Sequence, residues 1–184
     1  MKLSVCIIYG INEGPFMGRP LVRALEQAGF TIAANPTQAD VILAHSGGCF
    51  LIPQPNRAKL IVQVGIAYWP HKLWLASTVR KVYREGKLYF RQHRLREWAH
   101  KWLYHVRYSS LSTALRMLRS RPINQPWNST QPQVIVRNHH DVYCSPEIYK
   151  VAFRGPRTFL SLPGEHDDCW EHPEPYVRLI QSLL

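Results

Sequence analysis

The chain has 184 residues, of which 46% are hydrophobic and 11% aromatic, which suits one globular domain, or one domain with an insertion, and argues against a disordered protein. No apolar run approaches the roughly 20 residues that span a bilayer, so we expect a cytoplasmic location. The four cysteines are widely and irregularly spaced, which argues against a disulfide framework or a structural zinc site.

The net charge of +11 is confined to one internal segment. Residues 71–121 contain thirteen Lys or Arg and two acidic residues, so this segment carries the whole excess of positive charge. In the rest of the chain ten basic residues are balanced by ten acidic ones. The pattern predicts a neutral core made of residues 1–70 and 122–184 and a basic insertion, residues 71–121.

The core segments predict strands that alternate with helices. Apolar, β-branched runs indicate about six strands, at Leu3–Tyr9, Phe30–Ala34, Val41–His45, Leu60–Ile66, Gln133–Val136 and Thr158–Leu162. Helical spacing of apolar residues predicts a helix over Gly18–Ala28, which stops at Gly29, and a last helix over Pro175–Leu184. Continuous apolar strands of this kind favour a mostly parallel sheet flanked by helices.

The basic insertion differs from the core because it lacks strand-like alternation. Leu95, Trp98 and Trp102 recur at helical spacing, with arginines and lysines between them. Prolines at 122, 126 and 132 then indicate a stiff return to the sheet. We therefore predict a helical insertion.

A candidate nucleophile follows the third predicted strand, in the run Ala44-His45-Ser46-Gly47-Gly48. A nucleophile elbow places a serine in a strained turn between a strand and a helix, with small residues two places before and two places after it. Ala44 and Gly48 meet this requirement. The alternative is a glycine-rich turn that has no chemical role. The presence of an acid and a base that could serve Ser46 decides between the two interpretations.

An acid and a base follow the last two predicted strands. Asp141 comes just after Gln133–Val136, and His166 comes just after Thr158–Leu162. The chain order serine, acid, histidine, with each residue after a strand, resembles the α/β-hydrolase superfamily over about residues 1–70 and 130–184. The resemblance implies a trimmed α/β-hydrolase fold with a helical lid.

The resemblance also implies the role of each residue. Ser46 is expected to attack the substrate, His166 to act as general base and then acid, and Asp141 to orient His166. Gly47 is expected to donate one oxyanion-hole N–H, and the loop after the first strand to donate another, from Ile11 or alternatively from Asn12. No cofactor and no metal ion are expected.

Other residues compete for these roles. Asp167 or Asp168 could replace Asp141, and His139, His140 or His172 could replace His166, although two of these histidines precede the acid in the chain. The spacing of this His- and Asp-rich group matches no common metal motif. Cys49 and Cys144 are better interpreted as small buried hydrophobic residues than as nucleophiles. His45 belongs to the elbow sequence and need not act chemically.

Two features depart from the usual fold. About six residues join the second and third predicted strands, which is too short for a crossover helix and leaves the strand order open. Pro53 and Pro55 limit the helix after Ser46 to a couple of turns. These features suggest that the sheet is trimmed rather than that the triad is absent.

By position, residues 71–121 match the lid of the superfamily. Four tryptophans are candidates to line its substrate pocket or, alternatively, to pack the lid onto the sheet: Trp69, Trp74, Trp98 and Trp102. The expected function is hydrolysis of a small carboxylic ester or thioester through an acyl-enzyme. The basic residues leave open an anionic substrate or contact with an anionic membrane, and no nucleic-acid motif is visible. The alternative is a non-catalytic module that binds an anionic partner through its basic helices.

Overall fold

The computed structural model describes residues 2–10, 13–54, 56–66, 131–141, 144 and 156–184, and scattered positions between 83 and 103. Most of the scattered positions are helical, with a turn at His93. They all belong to the predicted insertion, so its helical character agrees with prediction at these positions. The remainder of the insertion and the predicted boundaries at 70 and 122 lie outside the described residues.

The described core contains a six-stranded sheet in which every neighbouring pair of strands is parallel. The spatial order is β2-β1-β3-β4-β5-β6, which settles the order that the sequence left open. The strands are β1 Ser4–Ile8, β2 Thr31–Ile32, β3 Val41–His45, β4 Leu60–Val64, β5 Gln133–Asn138 and β6 Arg157–Leu162. All six predicted strands are therefore present, and β5 runs two residues further than its apolar pattern indicated.

The connection from β2 to β3 has no room for a crossover helix, as its length predicted. It passes the amino end of β1, where the Asp40 carboxylate accepts hydrogen bonds from the Ser4 backbone N–H and hydroxyl at 2.9 and 2.8 Å. The Asp40 N–H donates in return to Ser4 Oγ at 3.0 Å. The Asp40 side chain therefore supplies the hydrogen-bond partner that the Ser4 N–H needs where this short loop crosses β1.

Helices cover one face of the sheet. They are α1 Arg19–Gln27, the short α2 Asp168–Glu171 and α3 Glu174–Leu183. Leu21 and Leu25 of α1 and Ile180 of α3 are fully buried against Val41, Leu43 and other residues of the same sheet face. The opposite face, with Ile42 and Ile135, packs against a 3₁₀ helix at Ser46–Leu51. Residues of β3 thus alternate between two apolar layers, which is why its sequence is apolar throughout.

Two amides interrupt the apolar interior of the sheet. Gln63 of β4 and Gln133 of β5 are both buried, and Gln63 Nε2 donates to Gln133 Oε1 at 2.9 Å. The two residues are not directly opposite, because Gln63 is paired with Ile135 and Gln133 with Ile61. The hydrogen bond therefore joins diagonal neighbours across the β4–β5 ladder.

All four cysteines are buried and unbonded to one another, as predicted. Cys49 donates from Sγ to the Ala44 carbonyl oxygen at 3.3 Å, and burial raises the thiol pKa of both Cys49 and Cys144 above the ordinary value. Neither thiol is therefore suited to nucleophilic attack. Among the described residues, no helix has the length and apolar character needed to cross a bilayer.

The Asp40–Ser4 hydrogen bonds predict a pH-dependent contribution to stability. Asp40→Asn should lower the free energy of unfolding at neutral pH by about 1 kcal/mol, because hydrogen bonds to an ionised group are lost. The Ser4 hydrogen bonds, helped by Lys59, lower the pKa of Asp40 to about 2. The contribution should be fully present above pH of about 4, the unfolded pKa, and be lost as the pH falls through about 2. Urea unfolding at several pH values measures both effects.

Lys59→Gln is the matched control for this prediction. Lys59 Nζ lies 3.2 Å from Asp40 Oδ1, but the lysine side chain is 61% exposed. Exposed ion pairs of this kind contribute little, so this change should alter the free energy of unfolding by less than about 0.5 kcal/mol. Equal losses in Lys59→Gln and Asp40→Asn would show that the ion pair, rather than Ser4, is what stabilises the loop.

Candidate active site

Ser46 has the backbone geometry of a nucleophile elbow. It follows β3 directly, begins the 3₁₀ helix and has a φ of 52°, in the left-handed region that residues other than glycine rarely adopt. A Cβ at Gly48 would lie 2.5 Å from the Ile8 carbonyl oxygen, so only glycine fits where the turn crosses β1. The sequence predicted both the strained serine and the need for a small residue at 48.

Asp141 and His166 form a buried pair. Asp141 Oδ2 lies 2.9 Å from His166 Nδ1, and the two side chains are 0% and 6% exposed. Asp141 Oδ1 accepts a second hydrogen bond from the Cys144 N–H at 3.0 Å. Because an ionised carboxylate can only accept, Nδ1 carries the proton and the other ring nitrogen is left as the basic one. The structure therefore brings together the predicted acid and base.

Gly65 makes room for this pair at the end of β4. It has a φ of +56°, and a Cβ there would lie 2.9 Å from Asp141 Oδ2 and 3.0 Å from His166 Nδ1. A larger residue would thus suffer both backbone strain and contact with the two interacting side chains. Sequence reasoning treated Gly65 as part of a strand and missed this role, although a glycine at the end of a buried strand was a signal.

Glu13 and His45 form a second buried hydrogen-bonded pair. Glu13 Oε1 lies 2.7 Å from His45 Nδ1, and the Glu13 side chain is only 5% exposed. His45 Nε2 donates to the His166 carbonyl oxygen at 2.8 Å, and Glu13 Oε2 accepts from the Gly10 N–H at 2.6 Å. One carboxylate and one imidazole thus connect the loop after β1, the elbow and the loop that carries the candidate base.

The surroundings of His45 favour its protonated form. Burial by itself disfavours the imidazolium, but the neighbouring Cys169 and Glu13 side chains outweigh it and raise the pKa of His45 well above its ordinary value. Burial also raises the pKa of the Cys169 thiol to about 11, so this thiol is neutral at pH 7. Glu13 therefore supplies the negative charge that stabilises His45 as a cation.

A polar network anchors the loop between β6 and α2. Tyr176 of α3 donates to Asn138 Oδ1 at 2.9 Å, and Asn138 Nδ2 donates to the Glu165 carbonyl oxygen at 2.5 Å. The N–H of His140 donates to the Gly164 carbonyl oxygen at 2.9 Å. These bonds fix the backbone on the N-terminal side of His166, so the position of the base depends on α3 and β5.

The competing histidines and aspartates take other positions. His139 and His140 are exposed, and His172 is an exposed residue that ends α2. Asp168 lies against Gly164. Asp167 does join a cluster with Glu13, His45 and His166, although Asp141 is the acid that bonds to His166 Nδ1. His166 is thus paired with Asp141 in the structure, and the choice of these two residues as catalytic base and acid stays a prediction.

The remaining predicted site residues are only partly described. Gly47 is buried next to Ser46, whereas Ile11 and Asn12 lie outside the described residues. Trp98 is half-buried, and a Cβ at Gly86 would lie 3.4 Å from its ring, so it packs within the insertion. Its proposed role in a substrate pocket stays a prediction. The same holds for Trp69, Trp74 and Trp102, which lie outside the described residues.

Sequence reasoning missed the importance of Glu13 and underestimated His45. From the sequence, the loop after the first strand is expected only to donate an oxyanion-hole N–H, and His45 is given no necessary chemical role. An acidic residue in the loop after β1 and a histidine beside Ser46 were visible signals. Their pairing was not predictable, because it depends on β1 lying next to β3.

No protein-family model and no curated protein sequence matches the chain. Several solved structures do match along almost its whole length. One is an enol-lactonase from Burkholderia xenovorans, with a TM-score of 0.60, 13% identity, and coverage of 99% of this chain and 91% of the other. Another is an α/β hydrolase enzyme from the metagenome of lagoon sediments, with a TM-score of 0.60, 13% identity, and coverage of 100% and 90%.

A third match is a monoacylglycerol lipase from Paleococcus ferrophilus, with a TM-score of 0.59, 12% identity, and coverage of 98% of this chain and 93% of the other. Together with the all-parallel sheet, these matches decide the fold. The chain has the α/β-hydrolase fold. The sequence-based fold prediction is therefore confirmed, and the six-stranded sheet is consistent with a trimmed form of this fold.

The position of Gly65 in this α/β-hydrolase fold predicts a selective effect of a small substitution. Gly65→Ala should strongly slow any reaction that depends on His166, because the added methyl displaces the Asp141–His166 pair. The rate of serine labelling by a fluorophosphonate probe measures this effect. Left-handed backbone strain should also lower the free energy of unfolding by about 1 kcal/mol.

Gly29→Ala is the matched control, because Gly29 also has a positive φ, of +92°, but nothing lies within 4 Å of an added Cβ. Gly29→Ala should suffer the same backbone strain of about 1 kcal/mol and keep the full labelling rate. If the two variants label at the same rate, Gly65 does not shape the pair.

Proposed function

We propose that the protein is a serine hydrolase that cleaves small carboxylic esters or thioesters through an acyl-enzyme intermediate. The observation that carries this proposal is the strained φ of 52° at Ser46, directly after a buried strand, in a chain that also holds a buried His166–Asp141 pair. Such strain persists where the surrounding structure enforces it, commonly at active sites. A turn without a chemical role would have no need of a serine in this conformation.

In the proposed reaction, Ser46 Oγ attacks the substrate carbonyl carbon while the basic nitrogen of His166 takes its proton. Asp141 holds the ring orientation and stabilises the imidazolium that forms. The tetrahedral intermediate then expels the alcohol or thiol, which receives the proton from His166. A water molecule, activated by the same histidine, hydrolyses the acyl-enzyme and regenerates Ser46.

The developing oxyanion is proposed to receive a hydrogen bond from the Gly47 N–H, with a second donor from Ile11 or Asn12. The Gly10 N–H is a poor candidate, because it donates to Glu13. An unpaired carboxylate so near Ser46 would repel an oxyanion in a medium of low dielectric constant. Pairing of Glu13 with a protonated His45 removes this repulsion.

The proposed substrate class agrees with the names of two structural neighbours, an enol-lactonase and a monoacylglycerol lipase. The basic composition of residues 71–121 supports an anionic substrate, such as an acyl phosphate or a coenzyme A ester, or transient contact with an anionic membrane. We further propose a cytoplasmic location, since a reducing compartment suits four buried thiols that are not paired.

Labelling of the purified protein with a fluorophosphonate probe tests the proposal. The wild type should label, Ser46→Ala should not label, and His166→Ala should label at least about a hundredfold more slowly, because general-base catalysis is lost. Asp141→Asn should also be slow, because the amide favours the wrong tautomer of His166. A screen of ester and thioester substrates would follow.

Ser161→Ala is the control, since Ser161 is an exposed serine on β6 that should be irrelevant to labelling. A folded wild type that does not label would contradict the proposal. The alternative function, binding of an anionic partner through residues 71–121, would then become the one to test. Labelling that persists in Ser46→Ala would identify a different nucleophile.

A further inference from the structure

Four side chains of the candidate site present donor atoms of the kind that bind a transition metal. Glu13, His45, His166 and Asp167 each offer one oxygen or nitrogen atom, and these four atoms all lie within 4.8 Å of one another. We propose that this cluster binds Zn²⁺ and that the bound ion inhibits the enzyme by occupying the base. The inhibition rests on the proposed hydrolase function, whereas the binding itself does not.

The two histidines are already oriented as metal ligands are. Histidines that bind metals almost always donate their second ring N–H to a carboxylate or a backbone carbonyl. His45 Nε2 donates to the His166 carbonyl oxygen at 2.8 Å, so the nitrogen that binds an ion is Nδ1, which faces Glu13 Oε1 at 2.7 Å and must release its proton to solvent when the ion binds. His166 Nδ1 lies 2.9 Å from Asp141 Oδ2, so Nε2 is the nitrogen with which this histidine would bind the ion. The hydrogen bonds that serve the triad therefore also preorganise two imidazole ligands.

The carboxylates complete the donor set. Glu13 is held by the Gly10 N–H through Oε2 at 2.6 Å, while Oε1 faces His45 Nδ1. Asp167 is half-buried at the start of α2, directly after His166. Two imidazole nitrogens and two carboxylate oxygens suit Zn²⁺, whereas Mg²⁺ and Ca²⁺ prefer sites built from oxygen alone.

The rearrangement required for binding is small. Zinc bonds of about 2.0–2.2 Å place tetrahedral ligands about 3.3 Å apart. The His45 Nδ1–Glu13 Oε1 distance of 2.7 Å must therefore open by about half an ångström, and wider pairs must close by at most about 1.5 Å. Three of the four residues lie on loops, so changes of this size need side-chain rotation rather than movement of the sheet.

Calorimetric titration of zinc chloride into the purified protein tests the binding. The wild type should bind one ion at the cluster, and Glu13→Gln and Asp167→Asn should each weaken that binding by roughly tenfold or more. His172→Gln and His140→Gln, which remove exposed histidines outside the cluster, should leave it unchanged. Excess magnesium chloride should not compete. Thermal unfolding shows whether each variant is folded. If Glu13→Gln does not fold, the zinc affinity of Asp167→Asn alone tests the proposal.

Several results would overturn the proposal. These are no binding by the wild type, binding that survives in folded Asp167→Asn and Glu13→Gln, or binding that is lost in His172→Gln or His140→Gln. The last result would place the ion at a surface histidine instead.

Labelling of Ser46 tests the inhibition separately. Saturating zinc should slow fluorophosphonate labelling of the wild type at least about tenfold, and EDTA should restore it, because the ion occupies His166. Asp167→Asn should need about ten times more zinc for the same effect. Labelling unaffected by saturating zinc would overturn the inhibitory role. Zinc binding at the cluster in a chain that never labels would leave the metal site standing and refute the hydrolase function.

Discussion

The close approach of the elbow to β1 is the constraint on which the rest of the site depends. Gly48 passes so near the Ile8 carbonyl oxygen that no side chain fits between them. This contact requires β1 and β3 to be neighbours in the sheet, and it forces the turn that puts Ser46 in a left-handed conformation. The same neighbouring strands bring the loop after β1, with Glu13, against His45. Strand order, strained serine and the second buried pair therefore have one cause.

Most of the fold was predictable because its strands are short, apolar and separated by clear turn signals. All six predicted strands and both predicted helices are present, with ends that differ by only a few residues. The spatial position of β2 was not predictable, because β2 has only two residues and no helix joins it to β3, so its sequence does not indicate which strand it pairs with. That order depends on Asp40 binding the amino end of β1, a contact between residues 36 apart in the chain.

The candidate site was predictable only where a local motif marked it. Ser46 follows a strand and precedes two glycines, and Asp141 and His166 occur in the order that the fold uses, so spacing was enough to choose them. Glu13, Asn138 and Gly65 belong to no local motif. Their roles arise from contacts between loops that are distant in sequence, such as Asn138 with the backbone of Glu165. Such roles become visible only in three dimensions.

The buried amide pair in the sheet has a consequence for how the insertion can vary. A segment of 68 residues separates β4 from β5, so the register of these two strands is not set by a tight turn. A slip of β5 by one residue would separate Gln133 from Gln63 and turn the Gln133 amide toward the opposite layer, at a cost of a few kcal/mol. Doubling the length of this segment, by contrast, costs only about 0.6 kcal/mol in loop-closure entropy. The alignment is therefore encoded in the strands themselves, which leaves the intervening segment free to be lengthened, shortened or exchanged during evolution.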